Sequence, residues 1–597
     1  MRDLLSGNEA IALGAYHAGL AVAAAYPGTP STEILESIAH LGDVYAEWAP
    51  NEKVAYDVAL GASLGGARAL VSMKHVGLNV AADPFFSSSY VGVGGGLVVV
   101  SADDPGMHSS QNEQDNRHYA RAAKVPLLEP ADSQEAYDFA RLAFDISERF
   151  NTPVLLRTTT RVAHSRTVVE TTRERLAPRA AKFVHNAQRY VVIPAHARRL
   201  HPQVEQRQRE LAAYAETFPG NRVERGDGRL GIVTSGVAYQ YAREVFPRAS
   251  VLKLGLSYPL PVGLVRSFAA SVERLIVVEE LDPFLEEQIR ALGLPTEGKS
   301  IFPILGEFSL EVVERSARLA GLIDEKEEDA PSVPSVPLPA RPPVLCPGCP
   351  HRTTFYALSL LGRRQAKADG SAQAPRLVVA GDIGCYTLGV LPPLQAMDTC
   401  IAMGSSIGMA LGIEKAGVDE KVVAVIGDST FLHSGLTGLL DVVYNGGSVT
   451  VIVLDNGTTA MTGHQEHPGT GFSALGAPAK AVDLAQIARA LGVEDVREVN
   501  AFDLPALRQA IKSATDSPQP SVIIAKGLCA LRNRDRRQPV EVSEDKCNGC
   551  GLCLRIGCPA IVKRDGKVAI EPGLCVGSIC QLCGQVCARG AIGVSEL

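Results

Sequence analysis

Thirteen cysteines are spread unevenly along this chain, and eight of them fall between residues 547 and 587. They form two runs, Cys547-x2-Cys550-x2-Cys553-x4-Cys558 and Cys575-x4-Cys580-x2-Cys583-x3-Cys587. Thiolates at such short spacings are ligands for soft metal centres, either zinc or the iron of iron–sulfur clusters. Two zinc sites and four disulfides are the alternatives, although zinc sites usually show two separated C-x2-C pairs instead of a triplet run.

The spacing resembles that of two-cluster bacterial ferredoxins, in which three cysteines of a C-x2-C-x2-C-x3-C-P run hold one cubane and the fourth reaches the other. The resemblance implies two [4Fe-4S] clusters. The first would be held by Cys547, Cys550, Cys553 and Cys587, and the second by Cys558, Cys575, Cys580 and Cys583. The sequence departs from the pattern by one extra residue before Cys558, two extra before Cys580, and Ala588 in place of the usual proline.

A second candidate site follows two predicted strands. The apolar run 421–426 precedes Gly427-Asp428-Ser429, and the run 449–454 precedes Asp455-Asn456-Gly457-Thr458. Ligands of open α/β sheets bind at the carboxyl ends of strands, and the twenty-seven residues between Asp428 and Asn456 allow a crossover that sets two parallel strand ends side by side. A carboxylate, an amide oxygen and a loop carbonyl would then form the oxygen shell that Mg²⁺ prefers. Two ordinary strand-end turns are the alternative.

The remaining sequence predicts the elements that position these sites. Apolar runs alternate with alanine-rich helical stretches, which is typical of parallel α/β domains. We expect several parallel-sheet α/β domains and a small α+β domain for the cysteine tail. An acidic, proline-spaced stretch predicts a linker, a second boundary is expected near Arg534–Arg537, and the charged stretch 185–216 predicts a helix between two domains. The expected division is 1–180, 181–325, the linker 326–343, 344–535 and 536–597.

Composition excludes several classes of protein. The chain has 46% hydrophobic and 21% charged residues, which is ordinary for a globular protein. Its net charge of −7 argues against nucleic-acid binding, which needs a clustered basic face. Residues 10–26 are largely apolar but contain His17 and follow the acidic Asp3 and Glu9, so we expect a buried amphipathic helix instead of a signal peptide. No uncharged run is long enough for a membrane span, and a cytoplasmic location is expected.

Four longer segments carry a family resemblance. Residues 26–32, 101–117, 427–436 and 454–465 resemble the large alpha subunit of indolepyruvate:ferredoxin oxidoreductases, members of the 2-oxoacid:ferredoxin oxidoreductase superfamily, and the resemblance extends over essentially the whole chain. The strand-end pair is similar to the magnesium–thiamine diphosphate motif, with Ser429 and Asp455 replacing its usual glycine and asparagine. The resemblance implies thiamine diphosphate binding, in transketolase-like domains, by Gly427, Asp428, Ser429, Asn456 and Thr458, with Mg²⁺ on Asp428, Asn456 and Thr458.

The resemblance also implies residues outside this motif. Glu52 matches the glutamate that activates the cofactor's pyrimidine ring, which would make 1–180 the pyrimidine-binding domain; an ordinary helix-surface glutamate is the alternative. Thr29, Lys74, His75 and Arg117 are the expected substrate contacts. His464 and His467 follow the second metal segment and could face diphosphate or substrate, although a structural role is the more common one for any single histidine.

Four other cysteines match positions around a cluster next to thiamine in related oxidoreductases. They are Cys346, Cys349, Cys385 and Cys529, which would hold a third [4Fe-4S] cluster. Free thiols are the alternative, because three separate segments must meet. Cys400 matches nothing and is expected in the core.

The function implied is oxidative decarboxylation of aryl 2-oxo acids, of the indolepyruvate or phenylpyruvate type, to aryl-acetyl-CoA, with electrons passed to ferredoxin. The expected partners are a smaller beta subunit, coenzyme A and ferredoxin, in a heterotetramer of two alpha and two beta subunits. Two other functions are the alternatives. A non-oxidative thiamine-dependent decarboxylase or carboligase would have no function for the tail cysteines. An electron-transfer module would have no function for Glu52 and the predicted metal ligands.

Overall fold

The computed structural model describes residues 2–172, 174–324, 342–362, 377–533, 538–564 and 566–594. These residues form two compact units, one of residues up to 324 with Ala474–Gly476, and one of the residues from 342 onward without those three. The expected boundary at Arg534–Arg537 and residues 326–341 of the expected linker lie outside the described residues. None of the helices in the described ranges is long and apolar enough to cross a membrane.

The first unit contains three sheets. Its strands are β1 (Arg2–Ser6), β2 (Val22–Ala25), β3 (Tyr45–Trp48), β4 (Ala69–Lys74), β5 (Leu97–Asp103), β6 (Leu127–Leu128), β7 (Val154–Thr159), β8 (Arg166–Glu170), β9 (Arg222–Glu224), β10 (Leu230–Ser235), β11 (Ser250–Leu254), β12 (Leu256–Tyr258) and β13 (Arg274–Val278). Its helices are α1 (Gly7–His17), α2 (Thr32–Leu41), α3 (Glu52–Leu64), α4 (His75–Val80), α5 (Ala82–Val91), α6 (Arg117–Ala123), α7 (Ser133–Phe150), α8 (Thr160–His164), α9 (Ala187–Tyr190), α10 (Pro194–Ala215), α11 (Ala238–Val245), α12 (Val262–Ala269), α13 (Phe284–Ala291) and α14 (Leu310–Leu319).

The largest sheet of this unit has the strand order β12-β6-β7-β5-β4-β2-β3 and is parallel except for β12. Strands β4 and β5 are buried along their whole length, which explains their continuous apolar sequences. A second sheet has the order β13-β10-β11-β9, with β9 antiparallel, and β1 pairs with β8. Apolar runs of this unit form the strands β5, β7, β10 and β13, as the alternating pattern predicts.

One expectation for this unit needs correction. Residues 10–26 do not form one helix, because α1 ends at His17, Gly19 adopts φ +79° and β2 begins at Val22. The boundary at 180 stays a prediction; β12, which follows it in the chain, joins the edge of the first sheet through β6. The long helix α10 lies where the charged stretch predicts a helix, and it buries Leu200, Val204 and Leu211 on one side.

The second unit is built on one parallel sheet. Its strands are β14 (Leu377–Gly381), β15 (Thr399–Cys400), β16 (Lys421–Gly427), β17 (Thr450–Asp455), β18 (Asp495–Asn500), β19 (Ser521–Lys526), β20 (Glu541–Val542), β21 (Ile561–Arg564), β22 (Lys567–Ile570) and β23 (Ile592–Gly593). Its helices are α15 (His351–Gly362), α16 (Ser406–Lys415), α17 (Asp428–Thr430), α18 (Leu436–Tyr444), α19 (Leu484–Ala490), α20 (Leu504–Thr515) and α21 (Leu582–Val586); a π-helical turn, Phe431–Gly435, joins α17 to α18, and short 3₁₀ turns span Cys385–Val390, Ala460–Thr462, Leu552–Ile556 and Gly577–Ile579.

The six strands of this sheet follow the order β15-β14-β16-β17-β19-β18. All of its pairs are parallel, and the expected strands 421–426 and 449–454 are confirmed as β16 and β17. The cysteine tail forms two antiparallel pairs, β20 with β23 and β21 with β22. It does not have a separate core: Ile556, Leu582 and Ile592 belong to the same buried cluster as Phe355 of α15. The tail is therefore packed into the second unit.

Candidate functional site

The predicted metal segments meet at the carboxyl ends of β16 and β17. These strands are adjacent and parallel, with Gly427 opposite Leu454, so the residues that follow them lie side by side. Asp428 is 3% exposed. Its Oδ1 accepts a hydrogen bond from the backbone N–H of Ser429 at 2.8 Å, and its Oδ2 accepts from the N–H groups of Asn456 at 3.2 Å and Gly457 at 2.9 Å. The structure thus brings Asp428 and Asn456 together.

The Asn456 side chain is fixed from both ends. Its Oδ1 accepts from the backbone N–H of Thr458 at 3.1 Å, and its Nδ2 lies 3.2 Å from Nε2 of His351. The Thr458 hydroxyl donates to the backbone oxygen of Gln465 at 3.3 Å, which closes the loop after the strand. Gly457 adopts φ +68°, a left-handed conformation that favours glycine at this sharp turn. All five predicted cofactor-binding residues therefore lie at one strand-end junction.

Burial makes this junction electrostatically unusual. Burial favours the neutral form of Asp428, but His467 and the backbone N–H donors outweigh it and lower the pKa of this carboxyl. Burial and the neighbouring Asp428 raise the pKa of Asp455 to about 6. Nε2 of His467 is buried without a directed hydrogen bond, although it lies 3.3 Å from Oδ2 of Asp428. The Asp428 carboxylate and the Asn456 amide oxygen fit a magnesium ion, whose oxygen shell diphosphate would help to complete.

The sequence interpretation missed His351. This histidine begins α15, is 3% exposed, and burial lowers its pKa to about 4, so it is neutral. Its contact with Asn456 places it at the junction. The sequence feature that could have identified His351 is its position two residues after Cys349, one of the cysteines expected to bind a cluster.

In the first unit, Glu52 is the first residue of α3. Asn51 caps this helix by accepting a hydrogen bond from the N–H of Val54 at 2.9 Å. The Glu52 side chain is 7% exposed and packs on Gly77 of α4, where an added Cβ would lie 2.7 Å from its Oε1. Glu52 is therefore not an ordinary helix-surface glutamate, which was the alternative interpretation. Gly77 provides the space that the Glu52 carboxylate occupies.

Two of the expected substrate residues meet at Ser109. Nζ of Lys74 donates to the backbone oxygen of Ser109 at 2.7 Å, and the hydroxyl of Ser109 donates to the backbone oxygen of Thr29 at 3.3 Å. Burial lowers the pKa of Lys74 to about 8, against the opposing effect of Asp104. His75 follows Lys74 directly; its Nε2 lies 3.3 Å from the backbone oxygen of Asn112, and its Nδ1 is buried without a partner. Thr29, Lys74 and His75 thus surround one loop.

The fourth expected substrate residue, Arg117, is buried in a network of ion pairs. Its side chain is 1% exposed and binds Asp115, at 2.5 Å, and Glu279, at 2.6 Å. Its guanidinium also donates to backbone oxygens after β13 and lies over the ring of Phe284. These contacts link the two larger sheets of the first unit, and they occupy the guanidinium that was expected to contact substrate.

The tail cysteines form two neighbouring sets. The first tail set is Cys547, Cys550, Cys553 and Cys587, and the second tail set is Cys558, Cys575, Cys580 and Cys583. Burial raises the pKa of Cys553, and the other three thiols of its set raise it further. Burial raises the pKa of Cys583 to about 12, with added effects of the other three thiols of its own set. All four thiols of the second tail set line one cavity, whereas the first tail set includes the exposed Cys550.

A third group of thiols, the proximal set, comprises Cys346, Cys349, Cys385 and Cys529. Burial raises the pKa of Cys349 to about 12 and that of Cys385 to about 11, and Cys346 adds to both shifts. Cys529 also raises the pKa of Cys346 and of Cys385. The three chain segments that carry these four cysteines therefore meet here. Nδ1 of His464 lies 4.0 Å from the sulfur of Cys529. Cys400 stands apart and bonds the backbone oxygen of Asp382 at 3.4 Å.

The separations between the sulfur atoms matter for the metal they suit. Four thiolates on one tetrahedral zinc, at about 2.3 Å each, would lie roughly 3.8 Å from one another. Among the described residues, the one group of three or more potential ligands with all ligand atoms within 4.8 Å is Asp115, His118 and Asp282. No three thiols of these sets have their sulfur atoms all within 4.8 Å of one another in the described residues, so none of the sets is arranged as a ready-made tetrahedral zinc site.

Comparison with known proteins gives two family matches. Residues 382–525 match the thiamine pyrophosphate enzyme C-terminal TPP-binding domain, and residues 13–212 match the thiamine diphosphate-binding region of pyruvate flavodoxin/ferredoxin oxidoreductases. The chain is 43% identical to indolepyruvate oxidoreductase subunit IorA of Archaeoglobus fulgidus, covering 98% of this chain and 97% of the relative. It is 43% identical to the subunit of the same name from Methanothermobacter marburgensis, over 99% and 97%. The corresponding subunit of Thermococcus kodakarensis is 41% identical, over 98% and 96%.

Proposed function

Because the chain belongs to the family of indolepyruvate oxidoreductase IorA subunits, thiamine diphosphate-dependent enzymes that oxidise 2-oxo acids, we propose that its substrates are aryl 2-oxo acids and its products aryl-acetyl-CoA. The names of the relatives support the aryl preference. The observation that carries the proposal is the junction of Asp428 and Asn456 at adjacent strand ends, in a region matching a thiamine pyrophosphate-binding domain.

We propose that Asp428, Asn456 and Thr458 hold Mg²⁺ and the diphosphate, with Gly427 and Ser429 completing the turn. Bound thiamine diphosphate supplies the electron sink that makes loss of carbon dioxide from a 2-oxo acid possible. Two side chains prepare the surroundings. The neutral His351 fixes the amide of Asn456, and the buried His467 lies beside the Asp428 carboxylate that would face the metal.

The proposed work of Glu52 is to hold a proton at the pyrimidine ring. A buried carboxylate at the start of α3 is suited to a short hydrogen bond with a ring nitrogen, because little water competes for it. Lys74 and Thr29 are proposed to receive the carboxylate group of the substrate, since Lys74 is a cation below pH 8 held at the Ser109 loop. His75 would line the same cleft.

We propose a [4Fe-4S] cluster in each of the three cysteine sets. The triplet run Cys547-x2-Cys550-x2-Cys553 and the all-thiol composition of each set support iron–sulfur binding over zinc. The first tail set reaches the surface at the exposed Cys550, whereas no thiol of the proximal or second tail set is exposed. Electrons would therefore leave through the first tail set to an external carrier, ferredoxin. A smaller beta subunit that completes acyl transfer to coenzyme A, in a heterotetramer of two alpha and two beta subunits, is part of the proposal.

The test is turnover of the anaerobically purified chain with its partner subunit. Indolepyruvate and phenylpyruvate, with coenzyme A, should reduce ferredoxin faster than pyruvate or 2-oxoglutarate does. Glu52→Gln should lower turnover by about 10²–10⁴-fold, the usual contribution of a positioned acid or base, while keeping bound cofactor. Glu36→Gln, on the same unit but outside this site, is the matched control. Equal rates with all four acids would contradict the aryl preference, and full activity of Glu52→Gln would contradict the role of Glu52.

A further inference from the structure

Arg352 joins the segment before the proximal set to the segment before the second tail set. It is the second residue of α15 and is 2% exposed. One terminal nitrogen donates to the backbone oxygens of Ile556, at 2.9 Å, and Gly557, at 2.6 Å. The other donates to the backbone oxygens of Leu345 and Cys346. The guanidinium therefore lies between two segments that each lead into a cysteine ligand.

The charge of Arg352 has no carboxylate partner in the part of the chain that the structure describes. All the hydrogen bonds of its guanidinium within the described residues go to backbone oxygens, and its buried Nε has no hydrogen-bond partner there. Burying a cation without an anion is costly, and backbone oxygens neutralise only part of its charge. The positive charge of Arg352 acts to lower the pKa of three thiols, those of Cys346 and Cys349 in the proximal set and of Cys580 in the second tail set. Arg352 also lines the cavity formed by the second tail set.

We propose that Arg352 is the shared counter-ion of the proximal and second tail clusters and stabilises their reduced forms. This inference rests on the proposed iron–sulfur function of both sets. A cubane held by four thiolates carries net negative charge, which grows by one when it accepts an electron, and a fixed cation beside it favours the reduced form. Because Arg352 lies beside both sets, it would hold both clusters at potentials that the electron donor can reach. It is a positioning and charge-balancing residue and not a catalytic one.

A second buried arginine in the chain gives an internal comparison. Arg207 is 7% exposed and donates to the backbone oxygens of Asn151, at 3.1 Å, and of Ser89. Burial lowers its pKa to about 10, and Arg189 lowers it further. Arg207 belongs to the first unit, which contains none of the cysteines, so it shares the carbonyl-bonded burial of Arg352 but not its thiol neighbours.

The experiment is a redox titration of the anaerobically purified enzyme followed by electron paramagnetic resonance. Coulomb's law for one charge roughly 10 Å away, at an effective dielectric constant of about 20, predicts an effect on the order of tenfold. Arg352→Gln should therefore lower the reduced-to-oxidised ratio of the two flanking clusters about tenfold at a fixed potential, a shift of about 59 mV for one electron. The first tail cluster should be unchanged and serves as the internal reference. Arg352→Lys, which keeps the charge, and Arg207→Gln should leave all potentials near those of the wild type.

Iron and sulfide analysis separates the failure of this inference from failure of the proposed function. A wild-type enzyme without cubanes would overturn the clusters themselves. Cubanes present in Arg352→Gln with unchanged potentials would overturn the counter-ion role alone, and so would an equal shift in Arg352→Lys. If Arg352→Gln loses the iron of the second tail set, retention of that iron in Arg352→Lys supports the counter-ion role. Equal loss in both variants would leave Arg352 as a packing residue and overturn the inference.

Discussion

Replacing Asp428 by asparagine is the most informative change at the strand-end junction. Asparagine keeps the shape of the side chain but removes its charge and turns one oxygen into a donor. The carboxylate now accepts from three backbone N–H groups, at 2.8, 2.9 and 3.2 Å. The amide cannot accept from all three, so at least one buried N–H would lose its partner, which costs about 1–3 kcal/mol of unfolding free energy.

The effect on cofactor binding should be at least comparable to the effect on folding. The loss of one charge-assisted interaction with the metal costs about 1.5–3 kcal/mol, which corresponds to roughly ten- to a hundredfold weaker binding. We expect isothermal titration calorimetry with thiamine diphosphate and Mg²⁺ to show this loss. Asp441→Asn is the matched control, because Asp441 is exposed on α18 and bonds only locally to Asn445. Wild-type affinity and turnover in Asp428→Asn would refute the assignment of Asp428 as a metal ligand.

Three further predictions concern the proximal set, the interior of the first unit and the substrate loop. Cys349→Ser should lower the iron content from about twelve to about eight atoms per chain, because a serine oxygen is a poor substitute for thiolate; unchanged iron measured by a colorimetric assay would contradict the proximal cluster. Arg117→Gln should destabilise the first unit by about 3–5 kcal/mol in urea unfolding, since it leaves two buried carboxylates unpaired, whereas Arg2→Gln at an exposed pair should cost at most about 1 kcal/mol. The activity on anionic substrates should fall about tenfold per pH unit above pH 8, because Lys74 loses its proton there. Lys74→Arg should abolish this decrease, because arginine stays charged. A decrease of the same size in Lys74→Arg would exclude Lys74 as the group responsible.

Much of the sheet architecture could be predicted from the sequence. Strands such as β5 and β16 are buried on both faces, so their apolar residues run continuously and stand out from the helices around them. The meeting of Asp428 and Asn456 follows from the same pattern, because adjacent parallel strands end at the same edge. The departures are at short elements: β12 has three residues, and nothing in its sequence indicates that it pairs with β6.

The burial of charged residues was the part that local sequence could not predict. Arg117 lies in a segment rich in polar residues, and only the fold brings Glu279 to it from 162 residues away. The same holds for Arg352, whose acceptors Ile556 and Gly557 are more than two hundred residues further along the chain. The thiols of the proximal set were found because cysteine itself signals ligand chemistry, even though three segments must meet to assemble the set.

The central claim is that one chain combines a thiamine diphosphate site with iron–sulfur clusters to oxidise 2-oxo acids. It is tested most directly by iron, sulfide, magnesium and thiamine analysis of the anaerobically purified wild-type chain, with ferredoxin reduction measured on the same sample after addition of the partner subunit. We expect about twelve iron and twelve sulfide per chain for three four-thiolate sets, one thiamine diphosphate with one Mg²⁺, and ferredoxin reduction that requires both phenylpyruvate and coenzyme A. A preparation with bound thiamine diphosphate that releases carbon dioxide but contains zinc in place of iron, and reduces no ferredoxin, would contradict the claim.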